Sequence, residues 1–286
     1  MIEVYDLGPS FHIDLNDLKS KDAAICLGEK FRFTVLTERL IRMEYSETGT
    51  FNDLATQLVS FRNFDVPKFE KTEDANFLQI QTSYFKLFYT KNNHLKGSAI
   101  RPEQNLRVTT IDEKSTWYYG NPEVRNYYGN NISTETKDKD REKKENKGLY
   151  SLDGFVSFDD SDSLRINALG TIEKPIEGNV DVYLFIYGKD FGMCVQDYFK
   201  LTGNPALIPR YALGNWWCRD LPYNENDIKG VLNNFEKNDI PLSVLLLDKE
   251  WHIRNTDKYK NIDSCYKFNT ELIQNPKVHI LLDFVL

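Results

Sequence analysis

A chain of 286 residues has room for one large domain or two ordinary ones, and a hydrophobic content of 41% is enough for a packed core. A net charge of −7 argues against nucleic acid, whose phosphates need a basic face. The opening residues, MIEVYDLGPSFHIDL, lack a basic stretch followed by an apolar one, so no signal peptide is expected; no apolar run approaches membrane-spanning length. Cys26, Cys194, Cys218 and Cys265 are scattered without paired spacing and read as reduced thiols of a cytoplasmic protein.

Residues 1 to about 200 read as mostly β. Phe31, Phe33 and Val35 alternate with more polar neighbours, and 39–45 follows a Thr-Glu break, which predicts a hairpin. Segments 77–82 and 84–89 form a second expected antiparallel pair, and 180–187 a late strand. Many short strands of this kind predict a mostly antiparallel β-sandwich. Residues 134–147, TETKDKDREKKENK, hold no apolar side chain and are expected to be an exposed loop. Asp153-Gly154 reads as a turn between an apolar segment and a strand, and Asp159-Asp160-Ser161 as another. A helix is expected over 190–201, where Phe191, Cys194, Val195, Tyr198 and Phe199 fall at helical spacing. Thr202-Gly203-Asn204-Pro205 then marks a boundary, giving domains 1–203 and 204–286.

The second part is organised as strand, helix, strand. Residues 211–217 are the first expected strand, after a loop bounded by Pro205 and Pro209. The helix starts at Asn224, whose side chain caps the first turn, with Asp227 placed for a capping box. Ile228, Val231, Leu232 and Phe235 make one apolar stripe, and Asn238 and Pro241 end it. The unbroken apolar run 242–247 suits a parallel strand covered on both faces. In a β/α barrel the chemistry sits at the C-terminal ends of such strands, which here present Arg219 and then Asp248, Glu250, Trp251 and His252.

Two stretches, NWWCRDLPY (215–223) and DIPLSVLLLDKEWH (239–252), resemble the first barrel strands of glycoside hydrolase family 31, the α-glucosidase and α-xylosidase group. FRFTVLTERLIRMEYS (31–46), FNDLATQLVSFRNF (51–64) and GLYSLDGFVSFDDS (148–161) look like that family's N-terminal β-domain. Cys218 stands where Ser is usual, Asp220 where Tyr is usual, and Lys249-Glu250 where Met-Asp is common. The resemblance implies a β-sandwich followed by the first βαβ unit of an incomplete (β/α)8 TIM barrel. It implies a retaining hydrolase of α-glucosidic bonds, glucoside or xyloside, with α-linked oligosaccharides as partners and no cofactor. It gives Asp248 a sugar-binding role, for which a carboxylate accepting two hydrogen bonds is well suited. It makes Asp153 a candidate substrate contact carried in by a loop of the β-domain.

Each candidate has a plainer reading. Asp248 could cap the next turn, and Asp153 could belong to its turn alone. Trp216 and Trp217 could stack on sugar, but neighbours on a strand point opposite ways, so at least one should pack. Glu250 shares a face with Asp248 only if the backbone stays extended, and Trp251 could stack. Arg219 could hold Asp248 or Glu250, or form a surface pair. His252 makes a poor metal ligand, since His12, His94 and His279 show no ligand spacing around it, and no metal is expected. Retaining glycosidases need two carboxyls about 5 Å apart. In the family both lie on later barrel strands, and nothing after His252 matches either motif. A barrel of this kind needs about 250 residues. The 286 residues alone are therefore expected to be inactive and to self-associate through the incomplete barrel. The alternative is a non-catalytic carbohydrate-binding or interaction module. Residues 275–286 read as a helix, with Asn275 as cap and Pro276 in the first turn.

Overall fold

The computed structural model describes residues 14–91, 93–98, 100, 103–127, 129–130, 145–205, 207–253 and 267–276. Most of the expected helix over 275–286 and most of the expected loop 134–147 lie outside these residues. Two compact units are distinguished, residues 1–205 and 206–286.

In the first unit the strands are, in order, β1 (Ile25–Leu27), β2 (Phe31–Thr37), β3 (Leu40–Tyr45), β4 (Ala55–Thr56), β5 (Glu70–Glu73), β6 (Phe77–Gln81), β7 (Phe85–Thr90), β8 (Leu106–Thr110), β9 (Thr116–Tyr118), β10 (Gly129–Asn130), β11 (Glu145–Asn146), β12 (Val156–Asp159), β13 (Arg165–Ile166), β14 (Ile172–Glu173) and β15 (Val180–Phe185). One five-stranded antiparallel sheet runs β1-β2-β3-β15-β12, and another runs β5-β6-β7-β8-β9. Their facing sides share one core. Phe31, Phe33, Val35, Ile41 and Met43 from the first meet Leu78, Ile80, Leu87, Val108 and Trp117 from the second. Both expected hairpins are present, β2 with β3 and β6 with β7. Thr37 Oγ1 accepts the backbone N–H of Arg39 (3.1 Å), which fixes the first turn.

Every residue of β3 and β15 is buried, because the first sheet is covered on both faces. A short helix, α1 (Leu15–Leu18), precedes β1. The second face of the sheet packs Leu36, Leu40, Tyr183 and Phe185 against Val59, Phe64 and the helix α2 (Phe191–Thr202). Asp190 caps α2 by accepting from Met193 N, and Gly203 ends it at φ 88°. Four charged side chains lie between sheet and cover. Arg42 donates from Nε and Nη2 to both oxygens of Asp181 (2.9 and 2.6 Å) and from Nη2 to the Asn52 carbonyl (2.8 Å). Arg32 donates twice to Glu44 (2.6 and 2.9 Å). Burial pushes the Glu44 carboxyl up, while the two arginines pull it toward the ion.

The second unit pairs β16 (Trp216–Pro222) with β17 (Val244–Lys249) in parallel, joined by α3 (Glu225–Lys237). The capping box forms as the spacing predicts: Asn224 accepts from Asp227 N, and Asp227 accepts from Asn224 N. Both strands are shifted from their expected positions. Residues 210–213 form a 3₁₀ turn after Pro209, closed by Gly214 N–H donating to the Tyr211 carbonyl (3.0 Å). A Cβ on Gly214 would lie 1.8 Å from Ser243 Oγ, so only glycine allows this approach. The approach brings the Asn215 carbonyl to the N–H groups of Ser243 and Val244 (2.9 and 3.2 Å), and pairing then starts at Trp216 with Val244. Hence β16 runs to Pro222 and β17 to Lys249; Arg219 and Asp248 lie within strands rather than after them.

Candidate functional site at the end of the parallel pair

In a parallel pair the two chains run the same way, so the ends at Pro222 and Lys249 lie side by side. The register sorts the side chains into two faces. Trp217 and Arg219 stand beside Leu245 and Leu247; Trp216 and Cys218 stand beside Val244 and Leu246, with Asp248 next on that face. α3 covers the first face, where Phe235 meets the Trp217 ring edge-on at 5.4 Å and 73°. Trp217, Leu245 and Leu247 are accordingly half-buried. On the second face Trp216, Cys218, Leu246 and Asp248 are all exposed. The expectation that β17 is covered on both faces is therefore corrected: within the described residues one face is covered and the other is open.

This sorting separates the two tryptophans. Trp217 packs under the helix, its indole N–H buried without a partner among the described residues. Trp216 shares its face with Asp248, and its indole N–H donates to the Ala212 carbonyl (3.2 Å), which holds the ring. Cys218, opposite Leu246, is the residue nearest Asp248 on this face that the sequence did not single out, whereas Trp216, opposite Val244, starts the pair four residues before Asp248. Counting back by two from Asp248 gives Leu246 and Val244; the partners across the pair depend on a register that no spacing encodes.

Beyond β17 the backbone does not stay extended. Glu250 adopts φ 57°, so it does not share the Asp248 face by alternation. The turn is held from the other side by residues 267–269. Asn269 N–H donates to the Trp251 carbonyl (2.8 Å), Asn269 Nδ2 to the Glu250 carbonyl (3.2 Å), and Ile253 N–H to the Lys267 carbonyl (3.0 Å). Trp251 lies between His252 (4.5 Å) and Phe268 (5.4 Å), both edge-on, and His252 is buried. Arg219 forms no ion pair with Asp248 or Glu250 among the described residues; the pair at this end is Lys249 with Asp220, at 3.8 Å. Nor do the described residues contain a cluster of ligands able to hold a metal ion.

Asp153 belongs to the first unit. It sits in the expected turn, where Gly154 takes φ 77° and comes close enough to Gly188 that an added Cβ would lie 3.0 Å from its Cα. Arg125 Nη1 donates to Asp153 Oδ1 (2.9 Å), leaving the carboxylate 24% exposed. The neighbouring Asp160 is buried and accepts from Thr56 Oγ1 (2.7 Å), and Asp159 accepts from Ser161 N (3.0 Å), so that stretch is a turn.

Residues 205–282, which contain this strand–helix–strand unit, match the glycosyl hydrolases family 31 TIM-barrel domain. Over this stretch the chain is similar to glycoside hydrolase family 31. An α-xylosidase of Saccharolobus solfataricus is 35% identical over 66 residues, a match covering 23% of this chain and 9% of the relative. Among solved structures, a family 31 α-xylosidase of Xanthomonas citri superposes with a TM-score of 0.58 at 10% identity, over 92% of this chain and 48% of the other. A family 31 dextranase of Flavobacterium johnsoniae, complexed with glucose, superposes with a TM-score of 0.51 at 15% identity, over 90% of this chain and 35% of the other. At such identities the likeness is one of fold. The chain spans about half the length of the xylosidase and about a third of the dextranase.

Proposed function

We propose that this family 31 relative is part of a retaining glycoside hydrolase of α-glucosidic bonds, glucoside or xyloside. In this reading residues 1–203 are the β-sandwich and 204–286 are the first βαβ unit of the (β/α)8 barrel, and the catalytic carboxylate pair lies outside the 286 residues. The C-terminal end of β16 and β17 carries the proposal, because it presents an exposed carboxylate, Asp248, at the strand ends where a barrel of this kind gathers its chemistry. Asp248 accepts hydrogen bonds from adjacent sugar hydroxyls. Arg219, Glu250, Trp251 and His252 shape the margin, Trp217 supports the strand from behind, and Asp153 is the contact contributed by the β-domain. Cys26 and Cys194 are buried and form no disulfide among the described residues, which fits a reducing compartment such as the cytoplasm. A free-standing binding module is the weaker reading, since Trp216 and Leu246 are 45% and 40% exposed on a strand pair. The same exposure favours self-association of the 286-residue chain.

The test has two arms. The 286-residue chain, purified free of host glucosidases, should give no enzyme-like turnover of activated α-glucosides or α-xylosides. In a longer product that continues into the later barrel strands, Asp248→Ala should lower kcat/KM by roughly tenfold to a hundredfold, the loss of a charged hydrogen bond worth about 1.5–3 kcal/mol, with unfolding temperature unchanged. An unaltered kcat/KM would reduce Asp248 to a strand-end cap. Turnover by the 286 residues, removed by mutating one of their own carboxylates, would overturn the placing of the catalytic pair.

A further inference from the structure

The outer face of the sheet β5–β9 carries a groove that the site at Asp248 does not use. Register places Thr72, Gln79, Phe88, Arg107 and Tyr118 in one row across all five strands. A parallel row runs through Gln81, Lys86, Thr109 and Thr116. With strands spaced about 4.8 Å apart, the first row extends for roughly 19 Å. Over these rows lies a cavity of about 550 Å³, within the range of small-ligand sites. A merely solvated sheet face would also be polar, but it would not be hollowed in this way, and two further observations separate it from one. Gln104, in the groove wall, donates its amide N–H to the Ser98 carbonyl, while its oxygen is buried without a partner among the described residues. Phe88 is held rigidly, stacked on Phe77 at 5.6 Å and 25° and covered by the Arg107 guanidinium at 4.4 Å.

The chemistry of the lining selects the occupant. Lys86 and Arg107 against Glu113 leave little net charge, so a polyanion gains little here. Amides and hydroxyls dominate: Gln79, Gln104, Thr109, Thr116 and the Tyr118 phenol offer donors and acceptors together. Sugar hydroxyls need that pairing, since each both donates and accepts, and aromatic rings suit the apolar faces of sugars. We infer that this groove is a second carbohydrate-binding site, holding a neutral oligosaccharide across β6–β9. Resting on the proposed function, that oligosaccharide is an α-glucan, held at a place where no bond is cut.

Affinity electrophoresis of the 286-residue chain in gels containing soluble dextran or soluble starch tests this. The wild type should be retarded. A Gln79→Ala/Tyr118→Ala double variant should bind about tenfold more weakly, having lost two contacts with the ligand. Amide shift changes in the wild type, titrated with isomaltotriose and maltotriose, locate the site without any variant; they should map to residues 77–90 and 106–118. No retardation by either polysaccharide, or shift changes confined elsewhere, would overturn the inference. So would retardation that the double variant keeps in full. Binding mapped to residues 77–90 and 106–118 stands even if Asp248→Ala leaves kcat/KM of the longer product untouched.

Discussion

Arg42 and Asp181 show how a residue's surroundings decide its worth. Arg42 is 2% exposed, and burial works against its charge, yet two carboxylates hold it protonated. Replacing it with methionine leaves Asp181 and Glu44 buried with too little positive charge. Arg42→Met should therefore destabilise the first unit by about 3–5 kcal/mol, read as a lowered urea midpoint. Cysteines sort by the same logic. Burial pushes the Cys194 thiol up to about 12 and Cys26 up to about 11, whereas Cys218 lies on the open face. Iodoacetamide at pH 8 should thus alkylate Cys218 well before Cys26 or Cys194, as peptide mass spectrometry would record. None of this was legible in the sequence. Arg42 and Glu44 alternate with Ile41, Met43 and Tyr45 along β3; that this polar half is covered depends on segments far along the chain.

At the scale of elements, what was local was legible. Asn224 and Asp227 announced the cap of α3, and Asp190 and Gly203 the limits of α2. Asn224→Ala removes the acceptor for two N–H groups and should cost about 1 kcal/mol, seen as faster amide exchange in the first turn of α3. Strand limits were not local. The apolar run 242–247 gave no sign that pairing begins at Val244, because the start is fixed by the Asn215 carbonyl and by the room Gly214 leaves for Ser243. The consequence reaches the site: a shift of this kind turned Arg219 and Asp248 from loop residues into strand residues and put Trp216, not Trp217, on the same face as Asp248.

For the molecule as a whole, the two units differ in how completely they are covered. The first has a sheet buried on both faces. The second has a strand pair with Trp216, Cys218 and Leu246 in solvent. If the open face drives association as proposed, the weight-average mass of the 286-residue chain should rise with concentration in sedimentation equilibrium. Leu246→Glu, which charges the face without touching α3, should return it to monomer. The order of the first sheet also has a meaning in time. β15 lies between β3 and β12, so the sheet cannot close until β15 exists. Arg42 and Asp181 are 139 residues apart. At ribosomal rates of about 5–20 residues per second, Arg42 leaves the exit tunnel roughly 7–28 seconds before its partner does. During that interval the β2–β3 hairpin shows its arginines to water on one side and Ile41, Met43 and Tyr45 on the other. A nascent chain paused between residues 45 and 180 would be a substrate for any chaperone that waits at the ribosome for exposed apolar strands.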